Sequence, residues 1–181
     1  MNTNNRKIFI DASLFMGMHS SDEKTRNQSL SIMSEQFTKC VYMNLEQVGM
    51  CDEYVWHYTR NIQDEYYPFM DVLHSEMNIN RIGYCSNDII RFNKDKRLSD
   101  EGISIQSALL VAQTINNNAV LYTHDKIILS LDYFTEYLGV FPSNQCDKQH
   151  IHKNSKQKRN STFSPKLDRL YDNSRSLIFP F

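Results

Sequence analysis

The sequence predicts an α/β protein, a three-layer α/β/α sandwich around a central parallel sheet. Two observations carry this. Short apolar runs that do not alternate with polar residues, Ile8–Ile10, Cys40–Met43 and Ala119–Tyr122, read as strands buried on both faces. Between them lie segments of helical spacing, and strands that alternate with helices build parallel sheets through crossovers. No glycine-rich phosphate loop joins strand to helix.

The first strand ends in Asp11-Ala12-Ser13. In open α/β sheets chemistry collects at the carboxyl ends of the strands. A carboxylate there either caps the next helix, with Leu14 and Phe15 inside it, or faces a cation, usually a metal. Ser20 to Lys24 reads as a loop. Thr25 to Thr38 fits a helix whose modest apolar face is Leu30, Ile32, Met33 and Phe37. The second strand runs into Asn44, which caps a helix and puts Glu46 in its first turn. A solvated glutamate there also suits the helix dipole.

From Cys51 to Met77 the chain is rich in aromatics: Tyr54, Trp56, Tyr58, Tyr66, Tyr67 and Phe69. This predicts two helices parted near Pro68, their aromatic stripe serving as core or dimer face sooner than as a base-stacking platform. Asn80 to Cys85 reads as a short strand or extended link, Ser86-Asn87-Asp88 caps a short helix through Phe92, and Asn93 to Arg97 is a charged loop. Ile105, Ala108, Leu109, Ala112 and Ile115 have the spacing of a buried helix face within Ile103–Ile115. Asn116-Asn117-Asn118 ends it, because asparagine tolerates left-handed backbone. The next strand ends in Thr123-His124-Asp125. A last helix over Ile127–Leu138 and an edge strand at Val140-Phe141 complete the domain.

That domain spans residues 1–141, and residues 142–181 form a tail. Lys148 to Arg175 carries eight lysines and arginines against Asp168 and Asp172, with few aliphatics, and cannot build a core of its own. The apolar end Leu177–Phe181 is expected to dock on the domain or on a partner. A net charge of -1 predicts no overall attraction to nucleic acid, so any basic surface must be local. Cys40, Cys51, Cys85 and Cys146 show no metal-binding spacing and read as buried thiols in a reducing, cytoplasmic setting. Met1 to Lys7 lacks a signal-peptide core, and no apolar run approaches the roughly 20 residues of a membrane span.

Asp11, Glu46 and Asp125 each follow a strand-like run, and in a parallel sheet those strand ends share one edge. Converging carboxylates raise each other's pKa unless a divalent cation sits between them. Oxygen ligands favour magnesium or manganese over zinc, and such a metal suits phosphodiester hydrolysis. A phosphotransferase of the haloacid-dehalogenase kind would need a second aspartate at position 13, where Ser13 stands.

The run into Asp11, Tyr42-Met43-Asn44-Leu45-Glu46, and Leu121-Tyr122-Thr123-His124-Asp125 together resemble the PIN domain, with the helix from Gly102-Ile103-Ser104 to Ala112 similar to the family's own before its last strand. The resemblance covers residues 6–141. PIN domains are mostly magnesium- or manganese-dependent ribonucleases, many of them toxins of bacterial toxin–antitoxin pairs. The resemblance therefore implies an endoribonuclease that binds RNA, a neutralising antitoxin or other protein partner, and a homo-oligomer. It makes Asp11, Glu46 and Asp125 catalytic metal ligands. The family's further acid, inside the helix before the last strand, falls on Ser107, and the nearest acids are Asp100 and Glu101. Asp100 is the expected fourth ligand, although it also reads as a helix N-terminal charge. Ser13, Thr123 and Ser107 are expected to support the acids or orient the attacking water. His124 is expected to face solvent without chemistry. Two alternatives stand beside this reading: a catalytically impaired PIN-like binding or regulatory module, and a nuclease acting on single-stranded DNA.

Overall fold

The computed structural model describes residues 6–99 and 102–142. Asp100, Glu101 and the tail beyond residue 142 lie outside the described residues. The architecture is the expected three-layer α/β/α sandwich. Strands β1 (Ile8–Ile10), β2 (Val41–Asn44), β3 (Ile79–Ile82) and β4 (Val120–Tyr122) form one parallel sheet in the order β3-β2-β1-β4. Ile10 is in register with Met43 on one side and with Tyr122 on the other. The carboxyl ends of three strands therefore meet along one edge.

Strand geometry sends successive side chains to opposite faces, and the sequence uses both. Ile10, Val41 and Met43 point into a core shared with helices α1 (Ala12–Gly17), α2 (Glu23–Glu35), α3 (Leu45–Trp56) and α4 (Arg60–Glu76). Phe9 and Leu121 point the other way, into a core with α6 (Ile105–Asn116) and α7 (Lys126–Leu129). Helix α5 (Ser86–Lys94) packs against α6 on that second face. The predicted caps are present at Asn44, whose carboxamide oxygen takes the Glu46 N–H at 2.7 Å, and at Asn118, whose φ of 46° is left-handed. The helix at 86 is entered differently: the Cys85 N–H donates to Asp88 Oδ2 at 2.9 Å, so Asp88 closes the turn from inside.

Several expectations are corrected. The break between α3 and α4 falls at residues 57–59, and Pro68 sits within α4. Proline removes one N–H from the ladder, and the burial of Tyr66, Phe69 and Met70 around it holds the helix together. The aromatic stripe is divided: Tyr66 and Phe69 are core, whereas Trp56 and Tyr54 are exposed. Helix α6 buries Leu110 through Thr114 between sheet and neighbours, and leaves Ile105 exposed. The last helix is only the four residues of α7, followed by a 3-10 segment at Asp132–Tyr137. Val140-Phe141 forms no strand; a single bridge joins Leu121 to Leu138. Of the described cysteines Cys51 is buried, but Cys40 and Cys85 are exposed. No helix among the described residues is long and apolar enough to cross a membrane.

Candidate active site

Because β1 pairs with β4, the residues just past their ends stand side by side. Asp11 is almost wholly buried and caps α1, its Oδ1 accepting the Leu14 N–H at 2.8 Å. The capping role read from the sequence is therefore present. The Thr123 hydroxyl donates to Asp11 Oδ2 at 2.5 Å, and the Ser13 hydroxyl lies 2.8 and 3.0 Å from its two oxygens. The same two hydroxyl oxygens then accept from the backbone of the neighbouring turn. Ser13 Oγ takes the His124 N–H at 2.7 Å, and Thr123 Oγ1 takes the Asp125 N–H at 2.9 Å. Ser13 and Thr123 therefore lace the two strand ends together around one carboxylate. Burial pushes Asp11 up to about 6, against the lowering effect of Thr123, Leu14 and Ser13, with the nearby charge of Asp125 adding to the rise.

Asp125 caps α7 through its Oδ1, which accepts the Ile127 N–H at 2.8 Å. Its Oδ2 accepts the Ser107 hydroxyl at 3.0 Å, from the first turn of α6. Ser107 is held in turn by Ser104, the N-cap, through its own N–H at 3.0 Å. Asp11, Ser13, Ser107, His124, Asp125 and Lys126 share the lining of one cavity of about 620 Å³ with apolar Met16, Met50, Leu110 and Ile127.

Glu46 does not line this cavity. Its Oε2 accepts the Tyr84 hydroxyl at 2.7 Å, on the β3 side of the sheet. The α3 residue that faces the cavity is Gln47, which is buried and whose Oε1 accepts the Ala12 N–H at 3.0 Å. One helical step turns a side chain by about 100°, which carries position 46 toward β3 and position 47 toward β1. The signal was present in the sequence: Gln47, Cys51 and Val55, at four-residue spacing, are the buried line of α3. His124 also departs from expectation. It is half-buried, bonds Ser29 Oγ through Nε2 at 2.9 Å and stacks on Phe141 at 4.7 Å, and burial lowers its pKa.

Among the described residues no three of His, Cys, Asp and Glu stand close enough together to hold a metal ion. The acids sharing the cavity with Asp11 are Asp125 and, at its rim, Asp22, which caps α2. Magnesium is commonly held by one or two carboxylates and completed by water and substrate phosphate. The chemistry of Asp11 and Asp125 fits that mode and not a cage of protein ligands.

No curated protein matches this chain. A family model described as "Family of unknown function (DUF6190)" matches residues 1–181. The chain, matched from end to end, belongs to the DUF6190 family.

Proposed function

We propose that the protein is a magnesium- or manganese-dependent endoribonuclease of PIN-like organisation, working in the cytoplasm from the cleft between the ends of β1 and β4. One observation carries the reading. Asp11 and Asp125 line one cavity, and Asp11 is buried at the cost of a carboxyl pKa raised to about 6. A buried carboxylate with a perturbed pKa in a cleft is a functional-site signature. A divalent cation held by these two acids would neutralise phosphate charge and activate water for hydrolysis. The chain's own groups do the rest. Ser13 and Thr123 fix the Asp11 carboxylate, Ser107 fixes that of Asp125, and Lys126 offers a cation to a phosphate at the cavity wall. Asp100 is kept as a further ligand of the same proposal, although it lies outside the described residues, and Glu46 is not.

A neutralising protein partner and self-association, both implied by the PIN resemblance, belong to this proposal. The exposed Leu45, Tyr54 and Trp56 of α3 are apolar surface open to either.

A second reading, the impaired PIN-like module that binds without cutting, is favoured by Ser107 and Gln47. Both line the cavity as neutral side chains, and Ser107 stands where the PIN resemblance implies a further acid. Incubating the full chain with mixed RNA and single-stranded DNA, with and without manganese, separates the readings. RNA cleavage that needs the cation and is lost in Asp11→Asn supports the nuclease. Cleavage of DNA alone changes the substrate class. RNA binding with no cleavage under any cation supports the module.

A further inference from the structure

The amino edge of the sheet, opposite the cavity, carries a second feature. Outside Lys148–Arg175 the chain has twelve lysines and arginines against nineteen acids. Six of those twelve cations, Arg6, Lys7, Arg91, Lys94, Lys96 and Arg97, gather around the turn that ends α6. Three consecutive asparagines organise the group. Asn116 Oδ1 accepts from Arg91 Nε at 2.5 Å, Asn117 Oδ1 from Lys7 Nζ at 3.0 Å, and the Asn118 carbonyl from Arg6 Nε at 3.0 Å. Aromatic rings back the cations: Arg6 lies over Tyr137 at 5.1 Å, Lys7 over Tyr42 at 5.0 Å and Arg97 over Tyr133 at 4.5 Å.

Beside the asparagine turn is a groove of about 600 Å³ lined by Arg91, Lys94, Lys96 and Arg97, with Asp95 as its one acid. Asp95 is spent on Arg97, the two joined at 2.6 Å. Lys94 and Lys96 are exposed, and their ammonium groups make no hydrogen bond or ion pair with any described residue. Asp88, an acid of α5 itself, is buried and satisfied by Asn116 and Cys85. Like charges gathered on one face of an acid-rich domain repel one another, and the arrangement is stabilised when an anion covers it. The chain's own tail is basic over Lys148–Arg175 and so is not the complement.

We infer that the amino edge of the sheet, centred on Lys94, Lys96 and Arg91, binds the sugar-phosphate backbone of a single-stranded RNA. The inference rests on the ribonuclease reading only for the identity of the polyanion. The strands are three or four residues long, so this edge stands about 10 Å from the carboxyl edge across the sheet. A strand of several nucleotides that enters the cavity can wrap past the domain and reach it. Lysines and arginines in an unpatterned cluster read phosphate charge, not base sequence. Binding here is therefore indifferent to sequence and steep in salt.

The test is fluorescence anisotropy on the full chain with labelled RNA of about 20 nucleotides, in EDTA so that no cleavage intervenes. Lys94→Glu/Lys96→Glu is compared with wild type and with Lys94→Arg/Lys96→Arg across a salt series. The charge reversal is expected to weaken binding at least tenfold and to lower the salt slope by about 1.4, since each phosphate contact on a single strand contributes about 0.7. The arginine variant is expected to bind as wild type. Unchanged affinity and slope in the charge reversal overturn the inference. Displacement of the RNA by polyglutamate at equal charge concentration overturns it too, pointing to an acidic protein instead. Cleavage of a dinucleotide with manganese is read in parallel. Its absence removes the nuclease reading and leaves the anisotropy result to decide this surface by itself.

Discussion

The Ser107 hydroxyl donates to Asp125 Oδ2 at 3.0 Å, and this serine stands where the PIN resemblance implies another acid. A donor there satisfies the Asp125 carboxylate without a metal, whereas an acid would repel it. Ser107→Asp is therefore expected to lower the melting temperature of the metal-free protein and to tighten manganese binding about tenfold, because affinity for hard cations rises with the number of charged oxygen ligands. Calorimetric titration with manganese and melting curves with and without the ion measure both. Manganese affinity unchanged by the added carboxylate would count against a cation shared by Asp11 and Asp125.

The burial of Asp11 makes a pH prediction with a definite sign. Its carboxyl titrates near 6 in the folded protein and near 3.8 in the unfolded chain. Between those values the folded state holds more protons, so the Asp11 contribution to stability falls as pH rises from about 4 to about 6 and stays low above. The full difference is of the order of 3 kcal/mol. The unfolding free energy of wild type minus that of Asp11→Asn, measured by denaturant titration from pH 4 to 8, is expected to fall over that interval. A flat difference would contradict burial as the cause of the raised pKa of this carboxyl.

Glu46 and Gln47 are expected to exchange the importance that the sequence assigns them. Glu46→Gln keeps a partner for the Tyr84 hydroxyl and should leave metal-dependent cleavage within twofold of wild type. Gln47→Leu strands the buried Ala12 N–H beside Asp11 and should cost about 1–3 kcal/mol of stability. Rates and melts of the two variants side by side check the pair. A large loss of cleavage in Glu46→Gln would return that acid to the site.

Gly17 lines the cavity with no room for a side chain. A Cβ there would lie 2.3 Å from Ser29 Oγ and 3.2 Å from His124 Cδ2. To make room Ser29 must turn, breaking its bond to His124. Gly17→Ala is expected to cost about 1–3 kcal/mol, as overpacking does. Adding Ser29→Ala should recover part of the loss. Thermal melts of the single and double variants measure the coupling, and equal melts would show that the clash is relieved elsewhere.

Local pattern was enough for the parts of this protein that depend on near neighbours in the chain. The apolar runs read at 8–10, 40–43 and 119–122 form the strands Ile8–Ile10, Val41–Asn44 and Val120–Tyr122. Asn44, Asp11 and Asn118 cap or end their segments through bonds spanning a few residues. That the strand ends carrying Asp11 and Asp125 lie along one edge also follows, since parallel strands present like ends together. Residue 107 was visible as the place where an acid is missing, but not as a donor to Asp125.

Pairing in space decided the rest. The sequence does not say that β1 lies between β2 and β4, and it is this order that joins Asp11 to Thr123. The rotation of α3 about its axis, set by which of its faces packs on the core, turned Glu46 toward Tyr84 and Gln47 toward Ala12. His124 became a cavity wall because α2 brings Ser29 to it. Cations from positions 6 to 97 form one surface only because the turn at 116–118 collects them at the amino edge. Capping and strand formation act over a few residues and are written in order along the chain. Convergence depends on distances between segments far apart in sequence, and only packing sets those.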